Sequence, residues 1–398
     1  MITITEKEQC CGCSACVQRC PQRCISMQKD SEGFLYPEVD VTRCIDCHLC
    51  EKVCPVINQN ESRFPLEVYA AKNTDTKVRQ LSSSGGIFTL LAEQTIKDGG
   101  VVFGACWDDE WNVGHDYAET LDEIVKFRSS KYLQSIIGES YKKAEYFLKT
   151  GRKVMFTGTP CQIAGLKHFL RKEYTNLLAV EVICHSVPSP GIWQGYLADK
   201  LSSLNKTKAD VKSISFRDKS TGWNSYSFVI ESKDGRIYKE LSKHNLFMKG
   251  FLADLYTRPS CYACPAKQLK SGSDITLGDF WGIETLLPEL DDDRGMSAVT
   301  VNTEKGRALL QEVNAELTEV AYNEVVKRNS ALVHSASEPK GRRAFFEADG
   351  LTFEAKIKKL AKTPFSLRLF IGKLAYSILP NKMLRNIIRH IRNIKKNK

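Results

Sequence analysis

Two stretches of sequence decide the fold of the N-terminal part of the chain: residues 10–21 (CCGCSACVQRCP) and residues 44–55 (CIDCHLCEKVCP). Both space four cysteines as C-x2-C-x2-C-x3-C and place a proline directly after the fourth. The cysteines on the pattern are Cys10, Cys13, Cys16 and Cys20 in the first stretch and Cys44, Cys47, Cys50 and Cys54 in the second. Thiolates at this spacing are typical ligands of [4Fe–4S] clusters, so the sequence predicts two clusters.

The same run occurs in bacterial ferredoxins, where three thiolates bind one cubane and the fourth binds the other. We therefore predict one cluster on Cys10, Cys13, Cys16 and Cys54 and another on Cys44, Cys47, Cys50 and Cys20. Zinc is the alternative, but zinc knuckles need only C-x2-C pairs, and two complete quartets disfavour it. Cys11 and Cys24 lie off the pattern, and we expect them to pack near the clusters.

The length and the cysteine content set further bounds. A chain of 398 residues suggests two or three domains. Its 15 cysteines are an odd number, and ten of them fall within the first 54 residues. The N-terminus does not read as a secretory signal, so we expect a cytoplasmic protein whose clustered thiols bind metal rather than form disulfides. The sequence contains no apolar run of about 18 residues, so it predicts no membrane span.

The formal net charge of +10 is unevenly distributed. Residues 355–398 contain 13 of the 57 Lys and Arg and no Asp or Glu, so the rest of the chain is close to neutral. A nucleic-acid partner for the body is therefore not indicated. Apolar residues recur at helical spacing over 383–394, opposite Arg and Lys. This pattern predicts either peripheral contact with an anionic membrane at its inner face or packing on the body or a partner.

Composition shifts divide the chain into three zones. Residues 1–62 predict an α+β domain of the bacterial ferredoxin type. Residues 66–350 alternate strand-like runs with amphipathic helical patterns, which predicts an α/β domain with a mixed sheet. Residues 351–398 predict a helical basic tail, and the polar residues 58–62 predict a linker.

Local signals place the elements of the α/β zone. Residues 82–86 (SSSGG) precede a helical pattern over Ile87–Lys97, and residues 157–160 (TGTP) join a strand to another helix. Residues 214–241 alternate around Lys233-Asp234-Gly235, which predicts a β-hairpin turn.

A second group of cysteines lies in this zone. Cys261 and Cys264 form a C-x2-C pair, and Cys161 and Cys184 sit at the carboxyl ends of predicted parallel strands. Ligands of α/β sheets bind at that edge, so the four cysteines are candidates for a third [4Fe–4S] cluster. A structural zinc, or simple burial of Cys161 and Cys184, stays open. Cys106 lies in an apolar strand pattern and is expected in the core.

Several short motifs follow one another in the order found in one protein family. They are Ser83-Ser84-Gly85-Gly86, Ser130-Lys131-Tyr132, Gly158-Thr159-Pro160-Cys161-Gln162, Cys184-His185, residues 261–265 (CYACP) and residues 274–282 (DITLGDFWG). With them the chain resembles the beta subunits of coenzyme F420 hydrogenases and dehydrogenases, in the form with a fused two-cluster ferredoxin domain. The resemblance covers residues 1 to about 315.

The resemblance implies a bound FAD beside an iron–sulfur cluster and supports the third cluster, although Cys161 could instead line the flavin pocket. The implied cofactor-binding residues are Ser83, Ser84, Gly85, Gly86, Ser130, Lys131, Tyr132, Thr157, Gly158, Thr159, Asp279 and Trp281. Lys131 and His185 are the implied catalytic residues. Ser84 to Gly86 offer free N–H groups to a phosphate or form an ordinary cap. Lys131 is expected either to neutralise a phosphate or a reduced flavin or to be an ordinary surface lysine. His185 is expected either to donate a proton or to be a hydrogen-bonded neighbour of the candidate cluster ligand Cys184.

The resulting functional prediction is an iron–sulfur flavoprotein oxidoreductase. A bound FAD would exchange hydride with an organic substrate or coenzyme, and the clusters would relay single electrons to or from a ferredoxin-like or other redox partner. Coenzyme F420 itself is not implied, because family members in hydrogenases are shorter and lack the basic tail. The alternatives are a non-catalytic electron-transfer subunit wiring a partner enzyme and a membrane-associated component of surface polysaccharide synthesis.

Overall fold

The computed structural model describes residues 1–348 and 350–361. Its N-terminal domain contains α1 (Ala15–Arg19), β1 (Ile25–Lys29), β2 (Leu35–Val39) and α2 (Leu49–Lys52). β1 and β2 pair antiparallel. Ser14 and His48, which precede α1 and α2, both adopt a left-handed conformation, with φ of 60° and 57°. The duplicated cysteine motif is therefore a duplicated backbone structure as well.

The body follows in an alternating order of strands and helices. Its first half contains β3 (Glu67–Asn73), α3 (Thr76–Leu81), α4 (Ile87–Lys97), β4 (Val101–Trp107), β5 (Val113–Ala118), α5 (Ser140–Lys149), β6 (Val154–Gly158), α6 (Pro160–Leu170), β7 (Leu177–Val182) and α7 (Pro190–Ser203). Its second half contains β8 (Val211–Asp218), β9 (Ser227–Ser232), β10 (Ile237–Leu241), α8 (Leu246–Leu252), β11 (Ile275–Asp279), α9 (Ile283–Leu286), β12 (Ser297–Val301), α10 (Glu304–Glu312), β13 (Ala315–Glu319), α11 (Tyr322–Arg328), α12 (Gly341–Glu347) and α13 (Phe353–Leu360).

An eight-stranded sheet, in the order β13-β3-β12-β11-β7-β6-β4-β5, forms the centre of the body. The four central strands β11, β7, β6 and β4 are parallel, and the strands outside them join by antiparallel pairing. This confirms the predicted mixed-sheet α/β body. The carboxyl ends of the four parallel strands meet at one edge, where sheets of this kind bind ligands.

A smaller antiparallel sheet of β8, β9 and β10 stands apart from the central one. The hairpin turn lies at the predicted Lys233-Asp234-Gly235, where Gly235 takes a positive φ of 83°. The region before this turn is broken by a 3-10 turn at Lys219–Thr221, and β8 is consequently a separate third strand.

The hydrophobic core is continuous between the body and the N-terminal domain. Phe103 of β4 and Phe156 of β6 are fully buried, with stacked rings 5.3 Å apart. Burial of each phenylalanine side chain contributes about 1.5–3 kcal/mol. Cys11, Cys13 and other N-terminal residues belong to the same cluster of buried side chains. The N-terminal domain therefore shares a core with the body.

Close backbone packing and buried ion pairs fix this arrangement. The Arg342 guanidinium forms a buried pair with Glu32 at 2.5 Å. A Cβ added to Gly33 would lie 2.6 Å from the Cα of Gly191. The predicted linker also lies against the body, since Asn60 donates to the carbonyl of Lys270 and the main chain at Arg63 donates to that of Gln268.

Of the helices in the described part of the chain, none is both long and apolar enough to cross a bilayer. α13 packs on α8 through Ile357, which is 2% exposed and contacts Gly250. The predicted basic amphipathic stripe of the tail lies outside the described residues, so the membrane contact stays a prediction.

Candidate redox centre

The N-terminal cysteines surround two separate recesses. We call Cys10, Cys13, Cys16 and Cys54 the proximal set, and these four line one recess. We call Cys20, Cys44, Cys47 and Cys50 the distal set, and these four line the other. The structure thus brings the fourth cysteine of each run to the recess of the other run. The assignment of these cysteines as the ligands of a [4Fe–4S] cluster in each recess stays a prediction.

Backbone amides point at sulfur atoms in equivalent places of both sets. The N–H of Gly12 donates to Cys10 Sγ and the N–H of Asp46 donates to Cys44 Sγ, each at 3.4 Å. The N–H of Ile2 donates to Cys50 Sγ at 3.3 Å. Such hydrogen bonds stabilise thiolates and are one of the factors that set cluster potentials.

The two sets differ in their distance from solvent. Cys13, Cys16 and Cys54 are buried, whereas Cys47 of the distal set is exposed. Cys24 is buried beside the distal set, with its Sγ 3.4 Å from that of Cys20. The proximal set faces the body, and the distal set lies near the molecular surface.

Cys161, Cys184, Cys261 and Cys264, which we call the third set, come together in the body. Cys161 lies in the first turn of α6, Cys184 follows β7, and the other two lie in and after the 3-10 turn Pro259–Ala263. Burial raises the pKa of Cys184 to about 12 and that of Cys264 to about 11, and the nearby Cys161 thiol raises both. The sequence motif therefore corresponds to a spatial cluster.

The surroundings of the third set suit a negatively charged group. The buried ammonium of Lys267 donates to the carbonyl of Cys184 at 2.6 Å and places a cation beside the thiols. Over 1–348 and 350–361, no three His, Cys, Asp or Glu side chains are grouped as ligands of a single metal ion. Four thiols beside a buried cation fit a [4Fe–4S] cluster in their donor chemistry.

Cys11 lies between the proximal and third sets. Its buried thiol is next to those of Cys13 and Cys161, and these neighbours act on its ionisation. A Cβ at Gly165 of α6 would lie 2.9 Å from Cys13, which shows how closely the helix approaches the proximal set. The expected packing role of Cys11 agrees with this position.

Arg217 organises the predicted cofactor-binding residues at one end of the sheet. Its guanidinium, 3% exposed as a residue, donates to both carboxylate oxygens of Asp279, to the Tyr132 hydroxyl and to the Ser83 carbonyl. It also lies 5.2 Å from the Trp281 ring centre. The Ser130 N–H donates to Ser83 Oγ at 2.7 Å. The structure therefore joins Ser83, Ser130, Tyr132, Asp279 and Trp281 in one network.

Lys131 is partly buried rather than a fully solvated surface lysine. Its ammonium donates to the carbonyls of Arg128 and Ser129 at 3.1 and 3.3 Å. Burial lowers the pKa of Lys131 to about 8. Nearby, the partly buried His115 ring donates from Nε2 to the Thr157 carbonyl at 2.9 Å, and burial lowers its pKa to about 4. His115 is therefore neutral, with an Nδ1 that lacks a partner within the described residues.

The glycine-rich loop is shaped largely by packing. A Cβ on Gly85 would lie 2.3 Å from the Ala71 carbonyl oxygen, so this glycine is required by the strand beside it. Ser84 Oγ donates to the Met296 carbonyl at 2.7 Å. Gly86 precedes α4 with a positive φ of 85° and leaves the helix without a side-chain cap. The N–H groups at the start of α4 therefore remain candidates for an anion.

The second predicted loop, Thr157 to Thr159, begins α6. Thr159 forms a capping box with Gln162, and its hydroxyl lies 3.3 Å from Cys161 Sγ. Gly158 packs against the Gln162 side chain. This loop consequently lies between the third set and His115.

Cys106, which the sequence places in the core, is only partly buried near the end of β4.

His185 lies outside the Arg217 network. Its Nε2 is 3.0 Å from Asp254 Oδ1, and its side chain is 46% exposed. The Phe251 ring separates it from Tyr132, with centres 5.9 Å from His185 and 5.2 Å from Tyr132. His185 is thus paired with a carboxylate at the border of the site.

Sequence reasoning did not find Arg217, Lys219 or His115. Lys219 is buried and its ammonium donates to the carbonyls of Arg79, Ser84 and Arg294. A signal was present for both basic residues, because Arg217 lies within the apolar alternation of β8 and Lys219 directly follows that strand. No local signal marked His115, because its environment depends on strands distant in sequence.

Two protein-family models match this chain, one over the N-terminal cysteines and one over the body. Residues 9–58 match the family model described as 4Fe-4S dicluster domain. Residues 151–324 match the family model for the C-terminal part of the coenzyme F420 hydrogenase/dehydrogenase beta subunit. No curated protein matches the chain.

One solved structure with similarity is the xenon-derivatised F420-reducing [NiFe] hydrogenase complex from Methanosarcina barkeri. It is 19% identical to this chain, with a TM-score of 0.45, over 67% of this chain and 90% of that one. The two family matches confirm the predicted resemblance and indicate an electron-transfer oxidoreductase. The chain is thus similar to a 4Fe–4S dicluster domain over residues 9–58 and to the C-terminal part of the coenzyme F420 hydrogenase/dehydrogenase beta subunit over residues 151–324.

Proposed function

We propose that the chain is an iron–sulfur flavoprotein oxidoreductase that holds three [4Fe–4S] clusters and one FAD. The observation that carries this proposal is the succession of the distal, proximal and third sets from the surface into the body. Cys47 is exposed, three of the four proximal cysteines are buried, and Cys11 adjoins both the proximal and the third sets. This order supports a path for single electrons through one chain.

The exposed distal set is the proposed contact with a redox partner. Electron exchange between proteins needs a cluster close to the surface, and Cys47 provides that exposure. A ferredoxin-like protein or another redox protein fits this role. The N-terminal domain shares its core with the body, so electrons would pass through a fixed arrangement rather than through a swinging domain.

The network around Arg217 is the proposed FAD site. It lies where β11 ends, and Lys131, Thr157 and His115 adjoin it at the ends of β4 and β6, on the edge where such sheets bind ligands. Arg217 Nε and His115 Nδ1 are buried and have no hydrogen-bond partner within the described residues, so a polar ligand would satisfy both atoms. A bound flavin accepts two electrons and releases them one at a time, which is the chemistry this site requires.

The chain's own residues supply charge and position. The Lys131 ammonium and the Arg217 guanidinium are two cations, held away from bulk solvent, that favour an anionic ligand, and Asp279 fixes the orientation of Arg217. Thr159 links the loop to the third set through Cys161. His185, oriented by Asp254, is the proposed proton donor at the exposed border of the site.

Flavin retention after anaerobic purification tests the site. We expect Arg217→Met to lose most bound FAD, because Asp279 is then left without its cation, while the iron content stays unchanged. The control is Arg236→Met, which removes an exposed arginine of the β9–β10 hairpin. Full FAD content in Arg217→Met would contradict the site. Absence of FAD from the unaltered protein would instead favour a non-catalytic electron-transfer subunit.

A further inference from the structure

Arg258 is a fully buried cation at the junction of the N-terminal domain and the body, with an exposed fraction of 0%. Its guanidinium donates from Nε to the Cys10 carbonyl at 2.8 Å. One terminal nitrogen donates to Gln134 Oε1 at 2.9 Å, and the other donates to the Leu35 carbonyl at 2.9 Å. All three acceptors are neutral, so these hydrogen bonds do not neutralise the charge. The Tyr36 and Phe34 rings face the guanidinium, with centres 4.3 and 5.3 Å from its central carbon, and they carry no net charge either.

A carboxylate partner for Arg258 is missing within the described residues, where no Asp or Glu oxygen lies within 4.0 Å of it. The carboxylates on the neighbouring hairpin are occupied elsewhere, since Asp30 pairs with Lys7 and Glu32 with Arg342. Buried charges in proteins are nearly always compensated, because an isolated ion loses its hydration. A negative group other than a carboxylate is therefore expected near Arg258.

The position of Arg258 relative to the cysteine sets indicates which negative group lies near it. Its side chain holds the peptide of Cys10, a proximal-set residue, and its own carbonyl accepts from the N–H of Cys261, a third-set residue, at 3.0 Å. A Cβ on Gly12, between Cys10 and Cys13, would lie 3.0 Å from its terminal nitrogen. Arg258 thus lies between the proximal and third sets and away from the distal set.

We infer that Arg258 raises the reduction potential of the proximal cluster, and of the cluster on the third set, relative to the distal cluster. This inference rests on the proposed occupancy of the three sets. Reduction adds one negative charge to a cluster, and a nearby buried cation stabilises the reduced form. Arginine keeps its charge at all relevant pH values. The effect is local, because the interaction weakens with distance.

Variants of Arg258 separate its charge from its packing. Arg258→Met removes the charge and the hydrogen bonds, Arg258→Gln removes the charge and keeps a donor, and Arg258→Lys keeps the charge. The matched control is the double variant Glu32→Gln/Arg342→Met, which removes a buried ion pair from the same interface without changing net charge. Cys47→Ser, introduced into each of these variants, identifies which electron paramagnetic resonance signal belongs to the distal cluster.

The measurement is the midpoint potential of each cluster in the full chain, by anaerobic titration followed with electron paramagnetic resonance. We expect Met and Gln to shift the proximal and third clusters to lower potential, Lys to shift them less, and the control and the distal cluster to stay unchanged. Equal shifts in all clusters, or intact clusters without a shift, would overturn the inference. An unaltered protein without clusters would instead refute the proposed function. If Arg258→Met and Arg258→Gln both lose iron while Arg258→Lys retains it, the charge is needed for cluster retention, and the tuning role is rejected.

Discussion

Lys131 is a residue whose charge costs folding free energy. Burial lowers its pKa to about 8 from the ordinary 10.5, so the unfolded chain binds this proton more tightly than the folded chain. Stability therefore falls as the pH falls from about 10.5 to about 8, and the whole cost, about 3 kcal/mol, is present below pH 8. This cost agrees with the proposed role of Lys131 in holding an anionic ligand.

Substitution of Lys131 by methionine removes this cost. We expect Lys131→Met to be more stable than the unaltered protein at pH 7, and its advantage to shrink as the pH rises towards 10. The measurement is the urea midpoint of protein without added ligand at both pH values, under anaerobic conditions. Lys149→Met, at an exposed position of α5, is the control. An advantage that does not depend on pH would show that Lys131 is not titrating as the structure indicates.

Residues differ in how far the sequence could reveal them. Spacing alone was enough to predict the eight N-terminal cysteines as ligands, because each run of four lies within a dozen residues. Arg217 and Arg258 were not found as site residues, because their partners Asp279 and Cys10 lie 62 and 248 positions away. His185 was found, yet the structure pairs it with Asp254 rather than with the residues around Arg217.

At the scale of elements, the contact between Gly33 and Gly191 holds the β1–β2 hairpin against α7. Gly33 has a φ of 88°, and its missing Cβ would meet the backbone of Gly191. Gly99 has a similar φ of 74°, but a Cβ there would meet open space. The two glycines therefore share the conformational constraint and differ only in the close approach.

We expect Gly33→Ala to loosen the N-terminal domain. Both Gly33→Ala and Gly99→Ala incur about 1–2 kcal/mol for the left-handed backbone, and Gly33→Ala adds roughly 1–3 kcal/mol for the clash. Limited proteolysis of residues 58–62 reports the loosening, because these residues lie against the body in the intact protein. Equal cleavage of the two variants would show that the domain is not held by this contact.

The predicted membrane contact of the basic tail can be tested by truncation. Truncation after Ala361 keeps α13, whose Ile357 is buried on the body, and removes the amphipathic stripe at 383–394. We expect the truncated protein to lose binding to anionic vesicles in a flotation assay and to keep its iron content. A control with neutral vesicles shows whether charge is responsible. Unchanged binding to anionic vesicles would end the membrane hypothesis.

Elements were predictable where a local signal exists. The helix over Ile87–Lys97 begins and ends where the glycines of the sequence indicate. The linker at 58–62 was expected from its polarity, but its hydrogen bonds to carbonyls near residue 270 depend on tertiary structure. Likewise, periodicity indicated the parallel strands, whereas the order of the eight strands required the structure.

At the scale of the whole molecule, three cysteine sets and a polar site belong to domains that share a hydrophobic core. The distal set with its exposed Cys47, the mostly buried proximal set and the third set lead towards the loops around Lys131 and Thr159. Under the proposed function, the N-terminal clusters deliver or remove electrons, and the chemistry occurs in the body. The sequence suggested this division of roles through the family resemblance, and the structure adds the contacts that connect the parts.

The central claim is that one chain connects three clusters to a flavin. The most direct test is the content of iron, sulfide, zinc and flavin in protein purified without oxygen. We predict about 12 irons and about 12 sulfides per chain, from three cubanes, with about one FAD. Cys161→Ser should lower iron to about eight, whereas Cys106→Ser should leave it unchanged. A content of about eight irons with zinc and no flavin in the unaltered protein would contradict the account.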